Sequence, residues 1–134
     1  MANPFRMSQS KIHRLGDLQL KIMKVLWQRT EATVATVHES LEGGHDLAYT
    51  TMATMLRKME ARGLVRHRVE GRSFVYRAAV ASDAVTHGMA DHLLDRLFES
   101  SLADMVGHLL TTREVSREEL SRLEKLIAAR KRNA

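Results

Sequence analysis

The chain has 134 residues, 44% hydrophobic and 28% charged, which allows one compact domain or a small domain with an appended helical segment. It contains no cysteine, so a disulfide framework, a thiolate metal site and a cysteine nucleophile are excluded. Its net charge is +5, and the placement is uneven: residues 1–78 hold 13 Lys/Arg against 7 Asp/Glu, whereas residues 79–134 hold 8 against 9. A basic first part joined to a neutral second part suggests a polyanion-binding module coupled to something with another task.

Apolar runs are only a few residues long and the opening MANPFRMSQSK is polar. Neither a membrane span nor a signal peptide is expected, which places the protein in the cytoplasm. Six aromatic residues (Phe5, Trp27, Tyr49, Phe74, Tyr76 and Phe98) are too few for a platform that stacks single-stranded nucleic acid.

Residues 1–11, with Pro4 as the only proline, read as a mobile N-terminal tail. From Leu15 to Arg29 apolar side chains recur at Leu18, Ile22, Val25 and Leu26, which is helical spacing, and Gly16-Asp17 is a suitable start. A short strand is expected near Glu31–Thr33. Thr33 can then cap a second helix that turns Val34, Val37 and Leu41 inward and ends at Gly43-Gly44. The third helix, YTTMATMLRKMEAR, runs from Tyr49 to Arg62 and stops at Gly63. At about 100° per residue its stripe of Tyr49, Met52, Met55, Leu56 and Met59 faces the core. The opposite side collects Thr50, Thr51, Thr54, Arg57, Lys58 and Ala61, with no carboxylate among them.

After Gly63 the period becomes alternating. LVRHRVE and SFVYRA flank Gly71-Arg72, a pattern that predicts a β-hairpin with Arg66 and Arg68 on one strand and Arg72 at the tip. Three helices followed by a basic hairpin make a winged helix-turn-helix. Beyond Ala79 a helix is expected from Ser82 to about Glu99, then an interruption at Ser100-Ser101. Another helical turn or two follows, carrying Leu102, Met105, Val106 and Leu109. Ser116 to Glu119 form a capping box for a last helix striped with Leu120, Leu123, Leu126 and Ile127. Three short helices on about 50 residues bury little surface alone, so pairing with a second copy is expected.

The chemistry follows from these placements. A helix laid in the DNA major groove needs short side chains near its start, so that backbone can approach base edges, and cations farther along for phosphates. Thr50, Thr51 and Thr54 meet the first need, Arg57 and Lys58 the second. Arg66, Arg68 and Arg72 add phosphate or minor-groove contacts from the hairpin, where His67 also lies. The bland alternative is a winged module with a solvated basic face that binds protein and has no DNA target. Seven dispersed histidines (13, 38, 45, 67, 87, 92 and 108) offer no ligand set beyond the His87–Asp91 pair four residues apart, so no metal and no cofactor are expected. Gly43-Gly44 leads into His45-Asp46 and not into a phosphate loop. There is no nucleophile elbow and no carboxylate pair placed for catalysis, so no enzymatic activity is expected.

Several strings resemble the penicillinase-repressor family (BlaI/MecI type) of bacterial transcription repressors: LGDLQLKIMKVLW (15–27), ATVATVHESL (32–41), LAYTTMATMLRKMEARGLVRHR (47–68), EGRSFVYRA (70–78) and SREELSRLEKLI (116–127). The resemblance covers roughly residues 12–130. It implies a homodimer on a two-fold symmetric operator, with the recognition helix at Thr50, Thr51, Thr54, Arg57 and Lys58 and the wing at Gly71-Arg72. It also implies control of resistance or stress-response genes, often beside a membrane-bound sensor peptidase that cuts the repressor between an Asn and a Phe. The similar stretch here, SSLADMVGHLL (100–110), holds no Asn-Phe, which puts that switch in doubt. Copper-responsive relatives carry cysteine pairs that this chain lacks. The expected architecture is mainly α with a small β-hairpin. It comprises a winged helix-turn-helix DNA-binding domain over 12–80 and a helical dimerisation domain over 81–134, the latter pairing through Leu102, Met105, Val106, Leu109, Leu120, Leu123 and Ile127.

Overall fold

The computed structural model describes residues 15–41 and 47–134. The expected tail over 1–11, the end of the second helix at Gly43-Gly44, and His13 and His45 lie outside the described residues. The order of elements is α1 (Asp17–Arg29), β1 (Glu31–Thr33), α2 (Val34–Ser40), α3 (Tyr49–Ala61), β2 (Val65–Glu70), β3 (Ser73–Ala78), α4 (Ser82–Phe98), α5 (Leu102–Thr112) and α6 (Arg117–Arg132). They fall into two compact units, divided between His92 and Leu93.

In the first unit α1 and α2 begin where a side chain offers an acceptor, whereas α3 starts at Ala48 without one. The Gln19 side chain accepts the Gly16 N–H ahead of α1, and Thr33 Oγ1 accepts the Thr36 N–H to start α2. The core beneath is Ile22, Met23 and Leu26 from α1, Val34 and Val37 from α2, and Met52, Leu56 and Met59 from α3. Leu64, Val65 and Tyr76 around the hairpin, Val85 from α4, and Leu15, Ala32 and Leu41 complete it. Helix α4 thus contributes to the winged core before it continues beyond His92. The Trp27 indole N–H donates to the Val80 carbonyl at 2.9 Å, fastening the approach to α4 onto α1.

Tyr49 does not join the core stripe of its helix. It is 51% exposed, standing in the first turn of α3 beside the wing, while Met52, Leu56 and Met59 one to three turns on are fully covered. The stop after α3 is as expected: Gly63 adopts φ +81, a left-handed conformation that suits a residue without Cβ, and the Leu64 N–H returns to the Met59 carbonyl.

The hairpin is part of a three-stranded antiparallel sheet in the order β1-β3-β2, so the short strand before α2 anchors the wing. Glu70 pairs with Ser73 across the two-residue turn Gly71-Arg72, where Gly71 takes φ +59. In this register His67, Tyr76 and Ala32 share one face with Val69 and Phe74, while Arg66, Arg68, Arg77 and Glu31 share the other.

In the second unit Glu99 and Ser100, both with positive φ, break the chain before α5. Helix α5 is longer than the turn or two expected, eleven residues from Leu102 to Thr112, because Ser101 caps it by accepting the Asp104 N–H. Ser116 caps α6 in the same way, through the Glu119 N–H. Neither α5 nor α6 contains a buried residue. No helix among the described residues is long and apolar enough to cross a membrane.

Candidate nucleic-acid interface

Helix α3 presents Thr50, Thr51, Thr54, Arg57, Lys58 and Ala61 to solvent, all exposed, as its anchored side requires. Thr50, Thr51, Thr54 and Lys58 line one shallow hollow with Met55 at its floor. No carboxylate pairs with Arg57, Lys58 or Arg72 among the described residues. Arg72 stands at the exposed hairpin tip, and with Arg57 it lines a second hollow between α3 and the wing. The threonines and three of the cations therefore form one continuous carboxylate-free surface.

Arg68 stands apart from that surface. It lies opposite Val75 on the other face of the sheet, and its guanidinium crosses the middle strand to Glu31 at 2.8 Å and reaches Glu70 at 2.6 Å. The hydrogen bond from Arg68 holds the Glu31 carboxyl below its ordinary range. The phosphate contact expected of Arg68 meets an arginine already engaged by two carboxylates, one of them 37 residues away in sequence. Arg66 is exposed on that same face, opposite Arg77.

His67, expected near DNA, is tied inward. Its Nδ1–H donates to both oxygens of Glu60 at 2.7 and 2.8 Å, its backbone N–H donates to the same carboxylate at 3.1 Å, and its ring stacks on Phe74 at 4.2 Å. Glu60, at the boundary of the α3 faces, thereby joins α3 to the wing. His38 has a comparable role in the helix-turn-helix: its Nε2 lies 2.6 Å from the Leu47 carbonyl, which can only accept, so the ring nitrogen donates. Sequence reasoning placed both histidines among scattered metal candidates. The nearest signal for the Glu60–His67 clamp is their spacing of seven residues across the Gly63 turn. His87 and Asp91 do pair, at 3.1 Å, but among the described residues no three His, Asp or Glu side chains gather as a metal site.

In the second unit Leu102, Leu109, Leu120 and Ile127 are exposed, and Met105, Val106 and Leu123 are half-buried. Val106, Leu109, Leu110, Val115 and Leu123 line an open hollow of about 210 Å³ between α5 and α6.

Comparison with known proteins agrees with this layout. The penicillinase repressor of Bacillus licheniformis is 27% identical over 121 residues, covering 90% of this chain and 94% of that protein. The transcriptional regulator BlaI of Mycobacterium tuberculosis is 40% identical over 81 residues, 60% of this chain and 59% of its own. The crystal structure of the YusO protein from Bacillus subtilis superimposes with a TM-score of 0.52 at 15% identity, covering 97% of this chain and 88% of that one, a likeness of fold alone. The model of the penicillinase repressor family matches residues 15–129. The chain belongs to the penicillinase repressor family, a family of transcriptional repressors and not of enzymes.

Proposed function

We propose that this DNA-binding repressor acts as a homodimer on a two-fold symmetric operator, one α3 helix in the major groove of each half-site. The observation that carries this reading is the carboxylate-free surface of α3 and the wing tip. Thr50, Thr51 and Thr54 read base edges, their hydroxyls as donors or acceptors and their methyls against thymine. Arg57, Lys58 and Arg72 supply most of the phosphate attraction, with Arg66 a weaker contributor from the far face of the wing. Arg68 contributes least, since Glu31 and Glu70 already offset its charge.

Residues 12–80 are the DNA-binding part and residues 81–134 the dimerising part, with Val85 shared into the winged core. The support for dimerisation is apolar area left open on α5 and α6: Leu102 is 64% exposed, Leu126 59% and Ile127 54%. A second copy laid along these helices covers Leu102, Met105, Val106, Leu109, Leu120, Leu123 and Ile127.

The test is a footprint of the purified protein on the DNA upstream of its own gene at two salt concentrations. A symmetric protected site that resists moderate salt is the expected result, and the genes beside it would show whether resistance or stress functions and a sensor peptidase belong to the system. Weak protection everywhere that vanishes with salt would leave only non-specific attraction.

A further inference from the structure

We infer that the hollow between α3 and the wing is a binding site for a small planar carboxylate, whose occupation excludes DNA. The inference rests on the DNA reading for its consequence, though not for the binding itself. The hollow holds about 340 Å³, within the usual size range of small-ligand sites. Arg57 enters it from α3 and Arg72 from the wing tip, two guanidinium groups from separate elements with no carboxylate partner among the described residues. Two exposed rings, Tyr49 and Phe74, stand at its sides, with the core residue Tyr76 beneath and Ala53 leaving room beside them.

Tyr49 and Phe74 are large rings left 51% and 42% exposed, in a chain with only six aromatics, and both lie in this one hollow. A phosphate backbone uses the cations but gains little from two exposed rings. A planar aromatic acid uses both, with its ring against Phe74 and Tyr49 and its carboxylate on the planar fork of one or both arginines. Since Arg57 and Arg72 also belong to the proposed DNA surface, the acid and the operator compete for the same charges.

The experiment is a titration of the full-length protein, without DNA, with sodium 2-naphthoate, followed by backbone amide NMR. Neutral 2-naphthalenemethanol and sodium sulfate serve as ring-only and anion-only probes. Saturable shifts confined to Tyr49, Ala53, Arg57, Ser73 and Phe74, with both comparison probes clearly weaker, are expected. Phe74→Ala should lose at least about tenfold in naphthoate affinity while its spectrum stays dispersed. Arg57→Gln should lose a similar factor. A second arm adds a labelled operator duplex, which naphthoate should displace from the wild type at lower concentration than from Phe74→Ala.

Shifts that sulfate reproduces, or that survive Phe74→Ala unchanged, would overturn the site and leave a purely electrostatic surface. Naphthoate binding by a protein that retains no duplex would keep the site and overturn the DNA reading. Duplex binding that naphthoate leaves untouched, despite saturable shifts, would overturn the exclusion.

Discussion

The two units spend their apolar residues in opposite ways. In the winged unit Ile22, Met23, Leu26, Met52, Leu56 and Met59 are all fully covered by their own chain, and beyond Tyr49 the outer face of α3 is left to hydroxyls, cations and Ala61. In the second unit α5 and α6 cover none of their residues completely, and leucines stand in solvent. One part gathers its aliphatic residues into a closed core, and the other leaves them open. On the proposed dimer the contrast separates two kinds of stability, one set by packing within a chain and one set by protomer concentration.

The largest test of this contrast removes the second unit. A chain ending at His92 keeps Val85 in the winged core. It should sediment as a monomer and bind operator weaker by roughly 10²-fold or more, the loss expected when two linked half-site contacts become separate events. A dimeric product in sedimentation would move the interface into the winged unit. Next in size are paired core and surface changes. Leu56→Ala should lower unfolding free energy by about 2–5 kcal/mol at every protein concentration. Ile127→Ala should instead lower the melting temperature at concentrations where the dimer is populated and leave it unchanged where the protein is dissociated. Denaturation at two protein concentrations reads both.

Within the winged unit the comparison sharpens from residue to residue. Thr54→Ala should reduce discrimination between operator and random duplex by about 1–3 kcal/mol, measured as a ratio of affinities at one salt concentration. Arg72→Ala should weaken both duplexes alike and lower the slope of log K against log salt by roughly one unit. Arg68→Ala should move that slope clearly less; an equal change would mean that Arg68 leaves Glu31 and Glu70 to meet phosphate. The smallest effect is alkaline. Burial, with Glu60 nearby, raises the Tyr76 phenol above its ordinary value near 10. A proton acid whose folded value is raised stabilises the fold below the ordinary value and stops doing so as pH rises through the folded one. Melting temperature should therefore fall above about pH 10, and less steeply in Tyr76→Phe.

These placements differ in how much of them the sequence carried. Met52, Leu56 and Met59 repeat at helical spacing, and Gly63 and Gly71 mark a stop and a turn, so α3 and the wing are legible from short-range pattern. Thr33 and Ser116 likewise announce their helices. Tyr49 misleads because periodicity assigns a face without saying where along the helix the packing partner ends. Arg68 misleads because its partner Glu31 lies on β1, and only the strand order β1-β3-β2 brings the two within reach. The candidate DNA face is legible as an absence of carboxylates on the outer face of α3, whereas the hollow beside it depends on where Tyr49 and Phe74 sit in space.

The double fastening of the wing has a consequence for the timing of order. Glu60 holds His67 on the inner face, and Glu31 holds Arg68 on the outer face, so the hairpin is set before any partner arrives. Conformational freedom at the tip is surrendered during folding and need not be surrendered again on association. Arg72 then meets its target as a preset point on a stiff arm. A change at Glu60 or Glu31, though neither meets the target, would return that freedom to the arm and add an entropic cost to binding.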